Sequence, residues 1–183
     1  MRVAVLGKLR SGKTEVANIL EENGFEVMDF SDALKDCLKI LYPYLDKEKK
    51  NRELLISVGQ HLRALDEDIW VNILKHRILS SKSENVLIMG VRQANEYEML
   101  KSLGFKFIKI EANPDIRIER CINNNDIFSP ETLNHYTETL LDNFEVDYMI
   151  KNEGTLEELR RKVLIVLNNI LVNDDSEGKK HGN

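Results

Sequence analysis

The chain has 183 residues, of which 42% are hydrophobic, so it can bury a real core and is not of the disordered class. Its formal net charge of −5 at pH 7 argues against a binder of nucleic acid polymers, which normally carries a basic face. Two isolated cysteines, and a first apolar run too short for a signal peptide or membrane span, indicate a cytoplasmic protein without a membrane partner.

Five apolar runs of strand length occur along the chain, and segments with helical spacing of apolar residues lie between them. The predicted strands are residues 2–6, 25–28, 86–89, 105–110 and 144–150. The first helix follows the first strand and ends at Gly24, and the second begins at Ser31 or Asp32. Two more helices are predicted between residues 54 and 78, and another ends at Gly104.

Prolines and a capping box mark the later helices. Pro114 and Pro130 each stand at a first helical position. Thr155 and Glu158 form a capping box before the final helix. Residues 173–183 are polar and lack apolar periodicity, so we expect a flexible tail there.

Strands and helices therefore alternate from end to end. That order predicts an α/β fold of three layers, α/β/α, in which helices cover both faces of a five-stranded parallel sheet. We assign residues 1–172 to this single domain. Ligands in such sheets bind beyond the carboxyl ends of the strands, so the residues that follow each strand are the first candidates for a site.

The segment from Gly7 to Thr14, GKLRSGKT, matches G-x-x-x-x-G-K-[ST] at every fixed position and lies between a predicted strand and a predicted helix. Glycines let the backbone curl so that successive N–H groups point at phosphate oxygens, and the helix that follows presents its positive end. Lys13 is expected to reach the β- and γ-phosphates of ATP, and the Thr14 hydroxyl to ligate Mg²⁺. The pattern predicts a P-loop NTPase whose ATP contacts are Gly7, Lys8, Arg10, Ser11, Gly12, Lys13 and Thr14; the alternative is a glycine-rich turn with an exposed lysine.

Charged residues near the predicted strand ends are candidates for the transfer site. Phosphoryl transfer is mostly positioning and charge neutralisation, which planar arginine side chains supply. Arg92 follows a strand, Arg63 lies in a helix, and Arg117 and Arg120 share a helix face from which they are expected to close over the phosphates. Asp29 and Asp32 follow the second strand, where they either hold the metal or acceptor or cap the next helix.

Four blocks of the sequence resemble the deoxynucleoside monophosphate kinases of phages and bacteria. They are residues 7–14, residues 30–35, residues 52–59 together with Arg63 and 68–72, and residues 91–96. Residues 147–152 also resemble that family, and this block is shared with dephospho-coenzyme A kinases. The similarity covers most of residues 1–172, and the third and fourth blocks are the ones that point to nucleoside monophosphates.

The resemblance implies a helical substrate-binding insert at residues 32–80 and a lid at residues 114–132. It implies phosphate transfer from ATP with Mg²⁺ to a deoxynucleoside monophosphate, with Lys13, Arg92, Arg117 and Arg120 as catalytic residues and Thr14 and Asp29 at the metal. The implied substrate-binding residues are Asp29, Asp32, Lys35, Arg63, Trp70, Arg92, Asn95 and Glu96. In the family pattern an aspartate precedes the Val-Arg pair, and here Gly90 stands in its place, so Asp29 is expected to serve instead.

Two other functions remain open at this point. A kinase that phosphorylates a hydroxyl group, as dephospho-coenzyme A kinases do, requires a general base, and Asp29 is the candidate. A nucleotide-binding module without catalysis is the third reading. The sequence leaves base and sugar specificity undecided, and a homodimer stays open.

Overall fold

The computed structural model describes residues 1–44, 52–124 and 141–178. Within them, five strands form one parallel sheet in the order β2-β3-β1-β4-β5. The strands are β1 (Arg2–Gly7), β2 (Glu26–Asp29), β3 (Val86–Met89), β4 (Lys106–Glu111) and β5 (Tyr148–Lys151). The helices are α1 (Lys13–Glu22), α2 (Phe30–Leu41), α3 (Arg52–Leu65), α4 (Ile69–Ser80), α5 (Ala94–Ser102), α6 (Pro114–Asn123) and α7 (Leu156–Gly178), with a short 3-10 helix at Leu141–Asn143.

β1 is the central strand, which explains why its sequence is a continuous apolar run. It pairs with β3 on one side, where Val3 faces Leu87, and with β4 on the other, where Val5 faces Ile108. Because helices cover both faces of a parallel sheet, the side chains of β1 from Val3 to Leu6 are buried, and only Arg2 at its start is exposed. The structure confirms the three-layer α/β/α fold with a five-stranded parallel sheet.

Side chains of β1 alternate between two cores. Val3 and Val5 pack with residues of α1 and α7 on one face of the sheet. Ala4 and Leu6 pack on the other face with residues of α2, α4 and α5. Since the two helical layers are anchored to alternate residues of one strand, the loop that leaves β1 lies between them at the carboxyl edge of the sheet.

Most strand boundaries lie within one residue of the sequence expectations, and larger differences occur at β5 and α7. β5 covers only Tyr148–Lys151, because the Phe144 ring stacks on Tyr97, with 4.7 Å between ring centroids, and does not continue the strand. α7 continues to Gly178, past the start of the predicted tail, and Asn173 donates a hydrogen bond to the Tyr148 hydroxyl at 3.2 Å.

The predicted insert contains α2, α3 and α4. Of the predicted lid, α6 is described, whereas residues 125–132, with the helix expected at Pro130, lie outside the described residues. In the described part of the chain, no helix combines the length and the apolar character needed to cross a membrane.

Candidate functional site

The segment between β1 and α1 curls back on itself as the motif predicts. The Ser11 amide donates to the Lys8 carbonyl at 3.1 Å, and the Lys13 ammonium donates to the same carbonyl at 2.7 Å. Arg10 and Gly12 have positive φ angles of 58° and 105°. Gly12 is the N-cap of α1 and carries no side chain to cap it, so the first N–H groups of the helix remain available to an anion.

Ser11 is only 1% exposed, and its hydroxyl has no hydrogen-bond partner among the described residues. Its side chain is therefore buried, and only its backbone can face a ligand. Thr14, by contrast, is exposed, as a residue expected to meet a metal ion must be. Of the predicted ATP-binding residues, Ser11 can therefore offer only its backbone, whereas the Thr14 side chain is accessible.

Three side chains from distant parts of the chain contact the carbonyl groups of this loop. We call Arg117, Arg120 and Asn152 the collar. The Arg117 guanidinium donates to the Leu9 carbonyl at 3.3 Å, and Arg120 donates to the Arg10 carbonyl at 3.2 Å and to the Asn152 carbonyl at 3.1 Å. The Asn152 side-chain amide donates to the Ser11 carbonyl at 2.9 Å and occupies the space that a side chain at Gly12 would need.

A second set of contacts joins the loop to the end of β4. The carboxylate of Asp142 accepts from Lys8 at 2.6 Å and from Lys109 at 3.0 Å, and Lys109 also pairs with Glu111 at 3.2 Å. Burial alone would raise the pKa of Asp142, but the two lysine hydrogen bonds outweigh it and hold the pKa below its ordinary value. A cavity of about 160 Å³ lies beside these residues, against Ser11 and Arg117.

Asp29 ends β2 and is also the N-cap of α2, so the prediction that Ser31 or Asp32 caps this helix is wrong. One of its carboxylate oxygens accepts from the Ser31 amide at 2.7 Å and from the Ser31 hydroxyl at 2.6 Å, while Asp32 accepts from the Asp29 amide at 2.9 Å. The carboxylate also fills the space beside Gly90, because a Cβ at Gly90 would lie 2.6 Å from the nearer oxygen. Asp29 therefore brings a negative charge to the strand end where the family pattern expects an aspartate.

The residues predicted to bind the acceptor form a second cluster, which centres on Glu96, a residue that is 2% exposed. Its carboxylate accepts from the amides of Arg92 and Gln93 at 2.7 and 3.1 Å and lies 3.5 Å from the Arg63 guanidinium. Burial raises the pKa of Glu96. The amide hydrogen bonds and the charges of Arg63 and Arg92 lower it, but they do not cancel the effect of burial. One buried carboxylate thus fixes both the loop that carries Arg92 and the side chain of Arg63.

Other predicted substrate residues have structural contacts. Asn95 donates to the Asp68 carboxylate at 2.8 Å, which ties α5 to the insert. Trp70 is 4% exposed, and its indole N–H donates to the Gly59 carbonyl at 3.3 Å, as expected of a core residue. Lys35 pairs with Asp32 at 3.0 Å on the exposed side of α2.

The sequence reasoning missed Asp142 and Lys109 altogether. The sequence marks Asn152 only as a residue that follows a predicted strand. Lys109 is a single lysine between two isoleucines of β4, and Asp142 stands far from every motif. No local pattern marks either residue as a neighbour of Lys8.

Comparisons with known proteins bear on the family and the fold of the chain. A family described as AAA domain matches residues 3–127. A UPF0200 protein of Sulfurisphaera tokodaii is 28% identical over 180 residues, covering 92% of this chain and 97% of its own. Among solved structures, a gluconokinase from Sinorhizobium meliloti superposes with a TM-score of 0.59 at 18% identity, covering 96% of both chains. A dephospho-CoA kinase from Campylobacter jejuni superposes with a TM-score of 0.53 at 17% identity, covering 92% of this chain and 96% of its own. Both structures share the fold of this chain.

Proposed function

Because the chain belongs to the AAA domain family and has the fold of the P-loop kinases, we propose that it transfers the γ-phosphate of ATP to a deoxynucleoside monophosphate. The observation that carries this proposal is the arrangement of Arg63, Glu96 and Arg92 at the end of β3. Arg63 and the loop that carries Arg92 lie at the end of β3, the strand next to β1, and a dianionic phosphate is the acceptor that two such cations suit.

On the donor side, the loop amides and the first turn of α1 bind the phosphates of ATP. Lys13 leaves the Lys8 carbonyl and contacts the β- and γ-phosphates instead. Its ammonium group neutralises the negative charge that shifts between these phosphates in the transition state. The positive charges of Arg117 and Arg120, which contact the back of the loop, add to the potential there.

On the acceptor side, a phosphate oxygen of the monophosphate attacks the γ-phosphorus, and the bond to the oxygen that bridges the β- and γ-phosphates breaks. The products are ADP and the deoxynucleoside diphosphate. A phosphate dianion is already nucleophilic, so the reaction needs no general base. Arg63 and Arg92 would bind and orient this phosphate, and Glu96 would keep Arg63 in place.

The side chains at the loop fit a magnesium ion. Thr14 supplies a hydroxyl and Asp29 a carboxylate, and oxygen atoms are the ligands that Mg²⁺ prefers. Asp29 lies where a side chain of Gly90 would otherwise be, so its charge takes the place of the expected aspartate. When bound, the ion would neutralise charge on the β- and γ-phosphates.

The test is ADP release from ATP with each common deoxynucleoside monophosphate and ribonucleoside monophosphate. We expect turnover with at least one monophosphate, and a loss on the order of a hundredfold or more in Lys13→Ala. Arg63→Ala and Arg92→Ala should raise the KM for the acceptor more than the KM for ATP. Arg77→Ala is the matched control, because Arg77 also belongs to the insert but pairs with Asp36 at 3.1 Å. ATP binding without turnover on any monophosphate would refute the proposal.

Phosphorylation of a hydroxyl group is the second candidate, and the position of Asp29 favours it. A partly exposed carboxylate at the end of β2 can accept the proton of an attacking hydroxyl. Two of the structures that share the fold are named gluconokinase and dephospho-CoA kinase, and neither name refers to a nucleoside monophosphate. Turnover on dephospho-CoA that is lost in Asp29→Asn, with ATP binding retained, would support this candidate over the first.

A further inference from the structure

The loop between β1 and α1 contains a residue whose backbone is strained. Arg10 has a φ angle of 58°, in the left-handed region that disfavours residues with a Cβ. Glycine takes this conformation without cost, yet this chain has arginine there. Contacts around the loop must therefore hold Arg10 in place.

In the described part of the chain, the collar arginines contact the peptides on both sides of Arg10. The peptide before Arg10 carries the Leu9 carbonyl, which accepts from Arg117, and the peptide after it carries its own carbonyl, which accepts from Arg120. Rotation of the peptide between Leu9 and Arg10 would bring the φ angle of Arg10 back to a negative value. Such a rotation breaks the bond to Arg117 and turns the Leu9 carbonyl away from α6.

We propose that Arg117 and Arg120 are positioning residues that lock the two peptides on either side of Arg10. Their bonds keep the two carbonyls on the outside of the loop. The Arg10 amide then faces the opposite side, where phosphates bind, and the Ser11 amide keeps its bond to the Lys8 carbonyl, which holds the loop closed. This differs from a role in which the two guanidiniums close over the phosphates. It rests on the proposed binding of ATP at the loop and is independent of the acceptor.

Arg120 is the stronger of the two anchors. Its two guanidinium nitrogens contact two different carbonyls, those of Arg10 and Asn152, at 3.2 and 3.1 Å. The planar fork of arginine can make both bonds at once, whereas the ammonium of lysine is a single point. Arg117 is 9% exposed and makes the bond to the peptide that governs φ of Arg10.

The size of the effect follows from the cost of the left-handed conformation. Without the collar arginines, part of the protein has a relaxed loop that does not bind phosphates. The apparent affinity for phosphates is then multiplied by the fraction of molecules whose loop keeps the binding conformation. For a non-glycine residue, the cost of the left-handed conformation corresponds to a loss of phosphate affinity of about five- to thirtyfold. With glycine at position 10 there is no strain to relieve, so loss of the collar should weaken binding by less than about threefold.

The experiment measures the binding of ATP and of inorganic tripolyphosphate by calorimetry. The variants are Arg120→Ala, Arg117→Ala, Arg10→Gly and each double variant with Arg10→Gly. Arg120→Ala should weaken both probes equally, and Arg120→Lys should fall between it and the unaltered protein. Arg160→Ala is the matched control, since Arg160 pairs with Glu22 at 2.7 Å on the surface and does not touch the loop.

The decisive result is the double variant. If Arg10→Gly restores most of the affinity that Arg120→Ala removes, the collar acts through the strain at Arg10. If the two losses simply add, Arg120 contacts the phosphates itself and the proposal is wrong. A loss confined to ATP would mean that Arg120 contacts the nucleoside, which also overturns it. No binding of either probe to the unaltered protein would overturn the proposed function as well. If Arg120→Ala does not fold, the same cycle with Arg117 and Arg10 decides the question.

Discussion

Gly90→Ala tests whether Asp29 takes the place of the missing aspartate. A Cβ at Gly90 would lie 2.6 Å from one carboxylate oxygen of Asp29 and 2.9 Å from the carboxyl carbon and the other oxygen. Because all three atoms are too close, the whole carboxylate has to move. It would then lose its contacts with the amide and hydroxyl of Ser31 and would no longer cap α2.

The expected loss of stability has two parts. The φ angle of Gly90 is +78°, and an alanine in this region costs about 1–2 kcal/mol. The loss of an N-cap costs about 1 kcal/mol more. Gly90→Ala should therefore lower the free energy of unfolding by about 2–3 kcal/mol, measured by urea denaturation.

Gly104→Ala and Gly24→Ala separate the two parts. Their φ angles are +76° and +83°, and an added Cβ would have no neighbour within 4 Å at either position. These variants should therefore show the backbone cost alone. In an Asp29→Ala background, Gly90→Ala should also fall to that smaller cost. If Gly90→Ala costs no more than Gly104→Ala in the unaltered protein, Asp29 does not occupy this space and the reasoning fails.

Three further changes test the remaining contacts of the site. Because burial raises the pKa of Glu96 above its ordinary value of 4.5, Glu96 stays protonated to a higher pH in the folded protein than in the unfolded chain. Stability should fall as pH rises from that value through the folded pKa, and a urea series should show no such loss in Glu96→Gln. The pKa of Asp142 lies below 3.8 in the folded state, so its contribution is present above that pH and lost as pH falls. Asp142→Asn should remove this contribution in an acid titration, and an unchanged titration would contradict the lysine pairs. Trp70→Phe removes the indole bond to the Gly59 carbonyl, which lies within α3 and keeps its helical partner, so it should cost about 0.5–1.5 kcal/mol in urea denaturation followed by circular dichroism; no loss would mean that the indole bond is immaterial.

The parts of the site that lie together in the sequence could be predicted from it. The apolar run of β1, the glycines of the loop and the spacing of Lys13 and Thr14 are one continuous segment, so their pattern alone indicates the strand, the turn and the helix. The capping box of α7 is local in the same way, and Thr155 and Glu158 make both of its hydrogen bonds. Local chemistry determines these structures, and no knowledge of the strand order is needed.

The collar could not be predicted because it depends on the order of strands in the sheet. Asn152 meets the Ser11 carbonyl from 141 residues away, which requires β5 to lie next to β4 and β4 next to β1. Periodicity predicts that strands exist but not which ones are neighbours. For the same reason Arg117 and Arg120 were correctly placed on one helix, while the carbonyls that they contact could not be known.

Asp29 and Gly90 show how a contact can connect two sequence features that look unrelated. The sequence presents an aspartate after one strand and, about sixty residues later, a glycine where the family has an acid. In the sheet, β2 and β3 are neighbours, and Asp29 pairs with Met89 in their register. The Asp29 carboxylate therefore reaches the space beside position 90, and only a residue without a side chain leaves room for it. A carboxylate at position 90 and one at position 29 would compete for this volume, so the glycine and the aspartate are best understood as one arrangement that keeps a negative charge at this edge of the sheet.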